Sequence, residues 1–356
     1  MNRPIKVLYV FANERKKMEQ EWLAGKMPDT YFIGLNHLKD FGIQAEYYEN
    51  RLINSARQKS FNLANILLLF KIRKYDIIFY GSSLLIVFLE KNIFRFQKPK
   101  FVWYNTFFTN LIRRNNRGLK KWFVEKTINY LDAIICPSQA QKDFLIKQGF
   151  EKNKIFYIQT GVDVDFIKKQ KNNLKPAEEK YILSVGKDMG RDYKTLIEAV
   201  KGLDIKVKIV ALLRNFNKKD LGNLPPNVEF LGFMPFNKLV KLYLNAEFIV
   251  VSTKKENDLG ASDCSGHYVL LDAMASGKAI IASNRSTISD YVTDGQEGIL
   301  VKPENSEELR NVIEKLLNNP QLAEEMGKRA LEKIKAGMTT KMFAEKLARV
   351  FKEMEA

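Results

Sequence analysis

Short runs rich in β-branched and aromatic residues alternate with amphipathic stretches along almost the whole chain, and the series occurs twice. In the first series Lys6–Phe11, Ile43–Tyr48, Ile77–Tyr80, Phe101–Tyr104, Ala133–Ile135 and Lys154–Ile158 read as strands. Glu19–Phe41, Phe61–Arg73, Leu111–Leu131 and Gln139–Gln148 read as largely helical between them. A polar joint is expected at Phe166–Glu179, which carries four lysines and Pro176. Beyond it Tyr181–Val185, Val207–Ala211, Val228–Leu231, Phe248–Val251, Ala279–Ala282 and Gly298–Val301 read as strands. The helices of this half are expected at Asp192–Val200, Phe236–Asn245, Tyr268–Ala275, Thr287–Val292, Ser306–Asn318 and Pro320–Ile334.

Strand–helix alternation calls for parallel strands joined by crossover helices. Two such series predict an α/β chain of two doubly wound domains, at 1–165 and 166–338. A last helix is expected over 339–356, with Thr339-Thr340 supplying its N-cap. The length of 356 residues and the 46% hydrophobic composition suffice for two cores.

Several classes are set aside by pattern. No run approaches the roughly 18 apolar residues of a membrane span; Ala64–Phe70 and Leu84–Leu89 are too short. Val7–Ala12 is followed at once by Asn13-Glu-Arg-Lys-Lys, which suits a first buried strand better than a signal peptide. Cys136 and Cys264 make no disulfide framework, and with His37 and His267 they make no zinc site. A reduced, cytoplasmic compartment is the expectation.

The net charge of +17 is uneven: residues 1–170 hold 29 Lys and Arg against 15 Asp and Glu, and the rest hold 29 against 26. Within 91–126 lie Lys91, Arg95, Lys98, Lys100, Arg113, Arg114, Arg117, Lys120, Lys121 and Lys126, with Glu125 the lone acid. Phe94, Phe96, Phe101, Trp103, Phe107, Phe108, Trp122 and Phe123 interleave with them. Such a surface suits an anionic membrane or nucleic acid, or is a solvated basic face over core aromatics. No nucleic-acid recognition motif accompanies it, so nucleic acid is not expected as a partner.

Doubly wound folds bind ligands at the carboxyl ends of their strands. Past Val185 comes Gly186-Lys187-Asp188-Met189-Gly190-Arg191, leading into a helix. Lys187 and Arg191 suit a diphosphate there, or are two surface cations in a basic chain. Past Val251 the loop ends in Asp263-Cys-Ser-Gly-His267, at the start of another helix. The amides of Ser265-Gly266 suit a phosphate or a sugar hydroxyl, and His267 is a sugar contact or a packed ring. Asp272, on that helix, can accept two hydroxyls from a ribose diol, or is a solvated helix acid. Neither Gly186-x-x-x-Gly190 nor Gly277-Lys278-Ala279 is a phosphate loop, because no Gly-Lys-Ser/Thr follows.

Five segments in register resemble the family-four retaining glycosyltransferases. They are Ser138–Gly149 with Lys154–Phe166; Ser184-Val-Gly-Lys187 with Arg191 and Tyr193-Lys-Thr-Leu-Ile-Glu-Ala199; Leu270-Leu-Asp-Ala-Met-Ala-Ser-Gly-Lys278; Tyr291–Pro303; and Leu322–Ala330. The resemblance implies the GT-B fold, with an acceptor-side N-domain, a donor-side C-domain, and a last helix returning to the N-domain. It implies metal-independent retaining transfer from a nucleotide sugar, with Lys187 and Arg191 on the leaving diphosphate and Gly186 beside them. The family's paired glutamates, with seven residues between them, fall on Cys264 and Asp272. A thiol cannot do a carboxylate's work on a sugar hydroxyl, so Ser265, Gly266 and His267 are expected to take the sugar end. That resembles a family variant with Ser-Gly in this loop.

In the N-domain the family's histidine after a central strand is replaced by Asn105 and Thr106, and Asn105 is carried as the catalytic-side candidate. The first loop lacks the family's glycine pair and offers Asn13, Glu14 and Arg15 to the acceptor. The expected partners are a UDP- or GDP-linked sugar and a lipid-linked or cell-envelope acceptor, met at the inner membrane face through patch 91–126. No cofactor and no metal are expected. A soluble transferase acting on a small acceptor, and a binding-only relative, are the competing readings.

Overall fold

The structure, a computed structural model, describes residues 3–11, 15–49, 67–80, 84–115, 117–172, 174–216, 222–256 and 262–356. They form two compact units. The first comprises Met1–Gly25, Asp29–Gly161 and Thr340–Ala356, and the second Lys26–Pro28 with Val162–Thr339.

In the first unit six parallel strands are described: β1 Ile5–Phe11, β2 Ile43–Glu49, β3 Ile77–Tyr80, β4 Lys100–Tyr104, β5 Ala133–Cys136 and β6 Ile155–Tyr157. Their order is β2-β1-β3-β4-β5-β6, with Ile77 opposite Lys100 and Ile135 opposite Phe156. Successive side chains of a strand point to opposite faces. Leu8, Val10, Ile78, Phe101 and Trp103 therefore share one core with Ile128 and Leu145 from the helices Gly118–Asn129 and Gln139–Lys147. Val7, Tyr9, Phe79, Val102 and Tyr104 share the other with Phe343, Leu347 and Phe351 of the terminal helix Thr340–Glu355. Covered on both faces, the inner strands read as nearly continuous apolar runs.

The second unit repeats the scheme with β7 Tyr181–Val185, β8 Lys206–Val210, β9 Val228–Phe230, β10 Ile249–Val251, β11 Ile280–Ser283 and β12 Gly298–Val301. The order is β12-β11-β10-β7-β8-β9, all parallel. Leu183, Ile249, Val251 and Ile280 pack on one face with Leu270 and Met274 of the helix His267–Ala275. Ile182, Ile209, Val250 and Ile281 pack on the other with Leu196, Leu309 and Ile313. From β7 the chain winds outward to β9, then returns to β10 and winds the other way. The winding reverses between β7 and β10, where such folds open a crevice at the strands' carboxyl ends.

Five expectations of the sequence are corrected. The joint predicted at Phe166–Glu179 begins instead with a helix, Val164–Lys171, capped by the Asp163 side chain on the Phe166 N–H at 2.9 Å. Phe166 and Ile167 are buried, and the lysines that looked like a linker are the solvent face. Apart from the short segment Lys26–Pro28, the chain changes units at Gly161–Val162 and again at Thr339–Thr340. The single helix expected over Glu19–Phe41 is an α-helix at Arg15–Leu23 followed by two 3₁₀ turns, Asp29–Phe32 and Leu35–Phe41. Gly25 and Gly34, at φ of 67° and 77°, break it.

The helix expected over Leu111–Leu131 is two, Phe108–Arg114 and Gly118–Asn129, parted where Gly118 takes φ of 63°. Thr287–Val292 is a set of turns. There the Ser286 N–H donates to Glu256 and the Thr287 hydroxyl to the Asp263 carbonyl. Of the stretch expected to be helical at Phe61–Arg73, residues 61–66 lie outside the described residues, and Leu67–Phe70 and Ile72–Lys74 form 3₁₀ turns.

Candidate functional site: a buried guanidinium at the strand switch point

The carboxyl ends of β7 and β10 bring together the two stretches singled out in the sequence. Arg191 bridges to Thr253 just past β10, the Lys254 N–H donates to the Gly190 carbonyl at 2.9 Å, and the Asp192 N–H to the Ser252 carbonyl at 3.1 Å. These bonds pull the Arg191 side chain inward until it is 4% exposed. Its Nη2 donates to the Val185 carbonyl, its Nε stands 3.4 Å from Asp188 Oδ2, and its Nη1 is buried without a hydrogen bond. Arg191 is therefore no surface cation.

Two glycines make room for it. A methyl group built on Gly186 would run into the guanidinium, and one on Gly266 would lie 3.3 Å from Nη1 and 2.9 Å from Val251 Cγ1. Gly266 also holds φ of 89°, where glycine is favoured. Asp188, given no role by the sequence, ties the two stretches: its Oδ1 accepts from the Gly190 N–H at 3.0 Å and from the Ser265 hydroxyl. Lys187 differs from Arg191. It is exposed, and its Nζ lies 5.6 Å from the Phe233 ring centroid.

The turn before the helix His267–Ala275 uses two of its amides internally. The Ser265 N–H donates to the Ser262 carbonyl and the His267 N–H to the Cys264 carbonyl, both at 3.1 Å. Of the three predicted sugar-end residues, only Gly266 leaves its N–H unbonded among the described residues. His267 is buried, its ring 4.8 Å from that of Tyr291, and neither ring nitrogen has a hydrogen bond. Burial, aided by the Arg285 charge, pulls its pKa down to about 3. The Thr287 backbone beside the ring opposes this shift without reaching hydrogen-bond geometry. His267 is thus neutral at physiological pH.

Asp272 is 3% exposed, and no described residue hydrogen-bonds its carboxylate. Burial alone pushes its pKa up to about 8. A solvated helix acid is excluded; the carboxyl group is desolvated and lacks a donor.

Arg285, just past β11, was missed by the sequence reading and is 3% exposed. The rule that drew attention to the residues past β7 and β10 would have found it past β11.

The first unit holds the remaining candidates. Asn105 follows β4 and is fully buried. Its Oδ1 accepts from the Phe108 N–H at 2.8 Å, and its Nδ2 faces Cys136 Sγ at 3.7 Å. The amide thus starts the helix Phe108–Arg114. Arg15 opens the first helix with its guanidinium 4.0 Å over the Phe11 ring. Asn13 and Glu14 lie outside the described residues. In the basic segment the large apolar side chains divide. Phe101, Trp103 and Phe108 are core, whereas Ile93, Phe94, Phe107, Leu119 and Trp122 are exposed by 47–86%. Lys126 Nζ sits 4.7 Å over the Trp122 ring. No helix among the described residues is long and apolar enough to cross a membrane.

Comparison with known proteins fits this geometry. Residues 31–166 match the family model described as Glycosyltransferase Family 4, and residues 165–333 the model described as Glycosyl transferases group 1. The chain carries two glycosyltransferase domains. Across 296 residues it is 27% identical to an uncharacterised glycosyltransferase of Methanocaldococcus jannaschii, covering 78% of this chain and 73% of that one. Among solved structures it resembles sucrose-phosphate synthase from Thermosynechococcus elongatus. The TM-score is 0.74 at 16% identity, over 98% of this chain and 99% of that one. It also resembles Anabaena HepE, solved in complex with UDP and glucose, at TM-score 0.70 and 16% identity over 98% and 100%. The fold is GT-B, and Gly186, Arg191, Gly266 and Asp272 all lie in the group 1 domain.

Proposed function

We propose that this chain is a metal-independent retaining glycosyltransferase. It takes a sugar from a UDP- or GDP-linked donor and delivers it to a lipid-linked or cell-envelope acceptor at the cytoplasmic membrane face. The observation that carries the donor half is the Arg191 guanidinium, buried between Gly186 and Gly266 with Nη1 unbonded. As the glycosidic bond breaks, charge grows on the leaving diphosphate. A fixed cation in a poorly solvated site stabilises that charge far better than one in water. Lys187 supplies a second, mobile charge, which together with Arg191 does what a metal ion does elsewhere. Asp272 takes the ribose diol, and Gly266 with His267 meets the sugar. Retention rests on the family resemblance.

The test is thermal shift with UDP, GDP, CMP and their common sugars. One nucleoside diphosphate is expected to raise the melting temperature of the wild type and not that of the Lys187→Ala/Arg191→Ala double variant. No shift with any nucleotide would favour a binding-only relative, a reading to which the thiol at Cys264 lends weight.

The membrane half rests on Leu119, Trp122, Phe107, Phe94 and Ile93 standing exposed among ten basic residues. Apolar side chains that insert at the headgroup boundary, with cations around them, suit an anionic surface. Flotation with liposomes containing anionic lipid should succeed at low salt and weaken as salt rises. Flotation that neutral lipid supports equally well, or none with either, removes the membrane clause and leaves the soluble-acceptor reading.

A further inference from the structure

Arg285 poses a problem that the donor site described above does not solve. Its side chain is buried, Nη2 reaches only the Asp263 carbonyl at 3.5 Å, and Nε and Nη1 have no hydrogen bond. No described carboxylate comes within ion-pair distance of it; those of Glu256, Asp263 and Asp188 act on it from further off, as does the Cys264 thiol. Two of these groups are already engaged: Glu256 accepts from the Ser286 N–H, and Asp188 accepts from Ser265 and Gly190 and pairs with the Arg191 charge. A guanidinium cannot shed its proton to escape burial, so an unpaired one persists only against a large desolvation penalty. The one hydrogen bond it gives the fold is the long contact to the Asp263 carbonyl.

The surroundings indicate what would pair it. Asp263, whose carbonyl Arg285 touches, is three residues before Gly266 with its unbonded N–H, and His267, with both ring nitrogens unbonded, feels the Arg285 charge. The Thr253 N–H donates to Ser283 Oγ at 2.9 Å, which fixes the end of β11 beside the end of β10. The group as a whole is rich in donors and poor in free acceptors. The geometry points to Arg285 as a donor-specificity residue whose free guanidinium edge takes an oxyanion of the nucleotide sugar. That oxyanion is the carboxylate of a uronic-acid sugar or a phosphate oxygen of the diphosphate. The inference rests on the donor-site reading. Its nitrogens are covered by chain in this structure, so ligand entry displaces the turn Ser262–Gly266, which Arg285 holds through the Asp263 carbonyl.

The experiment measures melting temperature and ligand affinity for the wild type, Arg285→Met and Arg285→Lys. The probes are UDP and GDP, UDP-glucose and GDP-mannose, and UDP-glucuronate and GDP-mannuronate. Arg285→Met alone should melt no lower than the wild type, because it removes an unpaired buried charge. It should bind the relevant probes about 10- to 100-fold more weakly, as loss of charge-assisted hydrogen bonds predicts. Arg285→Lys should recover part of the loss. Weakening confined to the uronates assigns the sugar carboxylate, and equal weakening of all probes of one base assigns the diphosphate. If Arg285→Met melts earlier yet binds every probe as the wild type does, Arg285 is an anchor of the turn and the inference is wrong. Wild-type protein that binds no probe would overturn the donor-site reading, and this inference with it.

Discussion

Arg191→Ala is expected to lower sugar transfer by about 100-fold or more, in line with removal of a single preorganised donor to developing negative charge. The size follows from burial. Arg191 is held by the Val185 carbonyl and by Asp188, so its charge needs no reorganisation when the diphosphate departs. Lys187→Ala should cost less, about tenfold, because an exposed ammonium acts through water. Arg191→Lys is the sharper comparison. A lysine keeps the charge but cannot hold Val185, Asp188 and a phosphate together through one planar fork, so most of the loss should remain. Turnover and melting temperature must be read on the same samples. An Arg191→Ala protein that melts early yet turns over at the wild-type rate would make Arg191 a structural residue and remove the main support for the donor site.

The inner strands were legible because they are buried on both faces and read as apolar runs; β3, β7 and β12 match their expected limits residue for residue. Helices were less legible where short-range chemistry overrode the apolar period. Thr287–Val292 has Ile288, Tyr291 and Val292 at helical spacing, all buried. Turns do form, with the Ser289 and Val292 N–H groups donating to the Arg285 and Ile288 carbonyls, but the Ser286 N–H goes to the Glu256 side chain and that of Thr293 to Glu297 Oε2 at 2.7 Å, so the turns do not continue into a helix. Glu256 lies thirty residues away in sequence, which no local window sees. The site shows the same limit. Lys187 and Arg191 look alike in sequence, and only the crossing from Gly190 to Lys254 buries one and leaves the other in solvent. Asp188 and Arg285 drew no attention because their roles depend on residues 77 and 22 positions away. Glycines were a usable signal throughout: Gly186 and Gly266 flank Arg191 because any side chain there would fill its place.

Asp272 should make both stability and ligand binding depend on pH in a way that its amide removes. Its folded-state pKa of about 8 stands above the ordinary 3.8 of the unfolded chain, because burial disfavours the charged form. Between those values the folded protein holds a proton that the unfolded chain has lost, so this group lowers stability as pH rises from about 4 to about 8. Asp272→Asn cannot ionise. Its melting temperature should equal that of the wild type near pH 4 and exceed it increasingly up to pH 8. A ribose diol reverses the preference, since two O–H donors stabilise the carboxylate. Nucleoside diphosphate binding at pH 7 should therefore release up to one proton from the wild type, seen calorimetrically as heats that differ between buffers of different ionisation enthalpy. The Asp272→Asn protein should release none and bind about 100-fold more weakly, the loss expected for hydrogen bonds to a charged acceptor. Equal affinity in the variant, with buffer-independent heats in the wild type, would mean that the nucleotide does not reach Asp272. The buried carboxyl would then be an internal feature of the helix His267–Ala275.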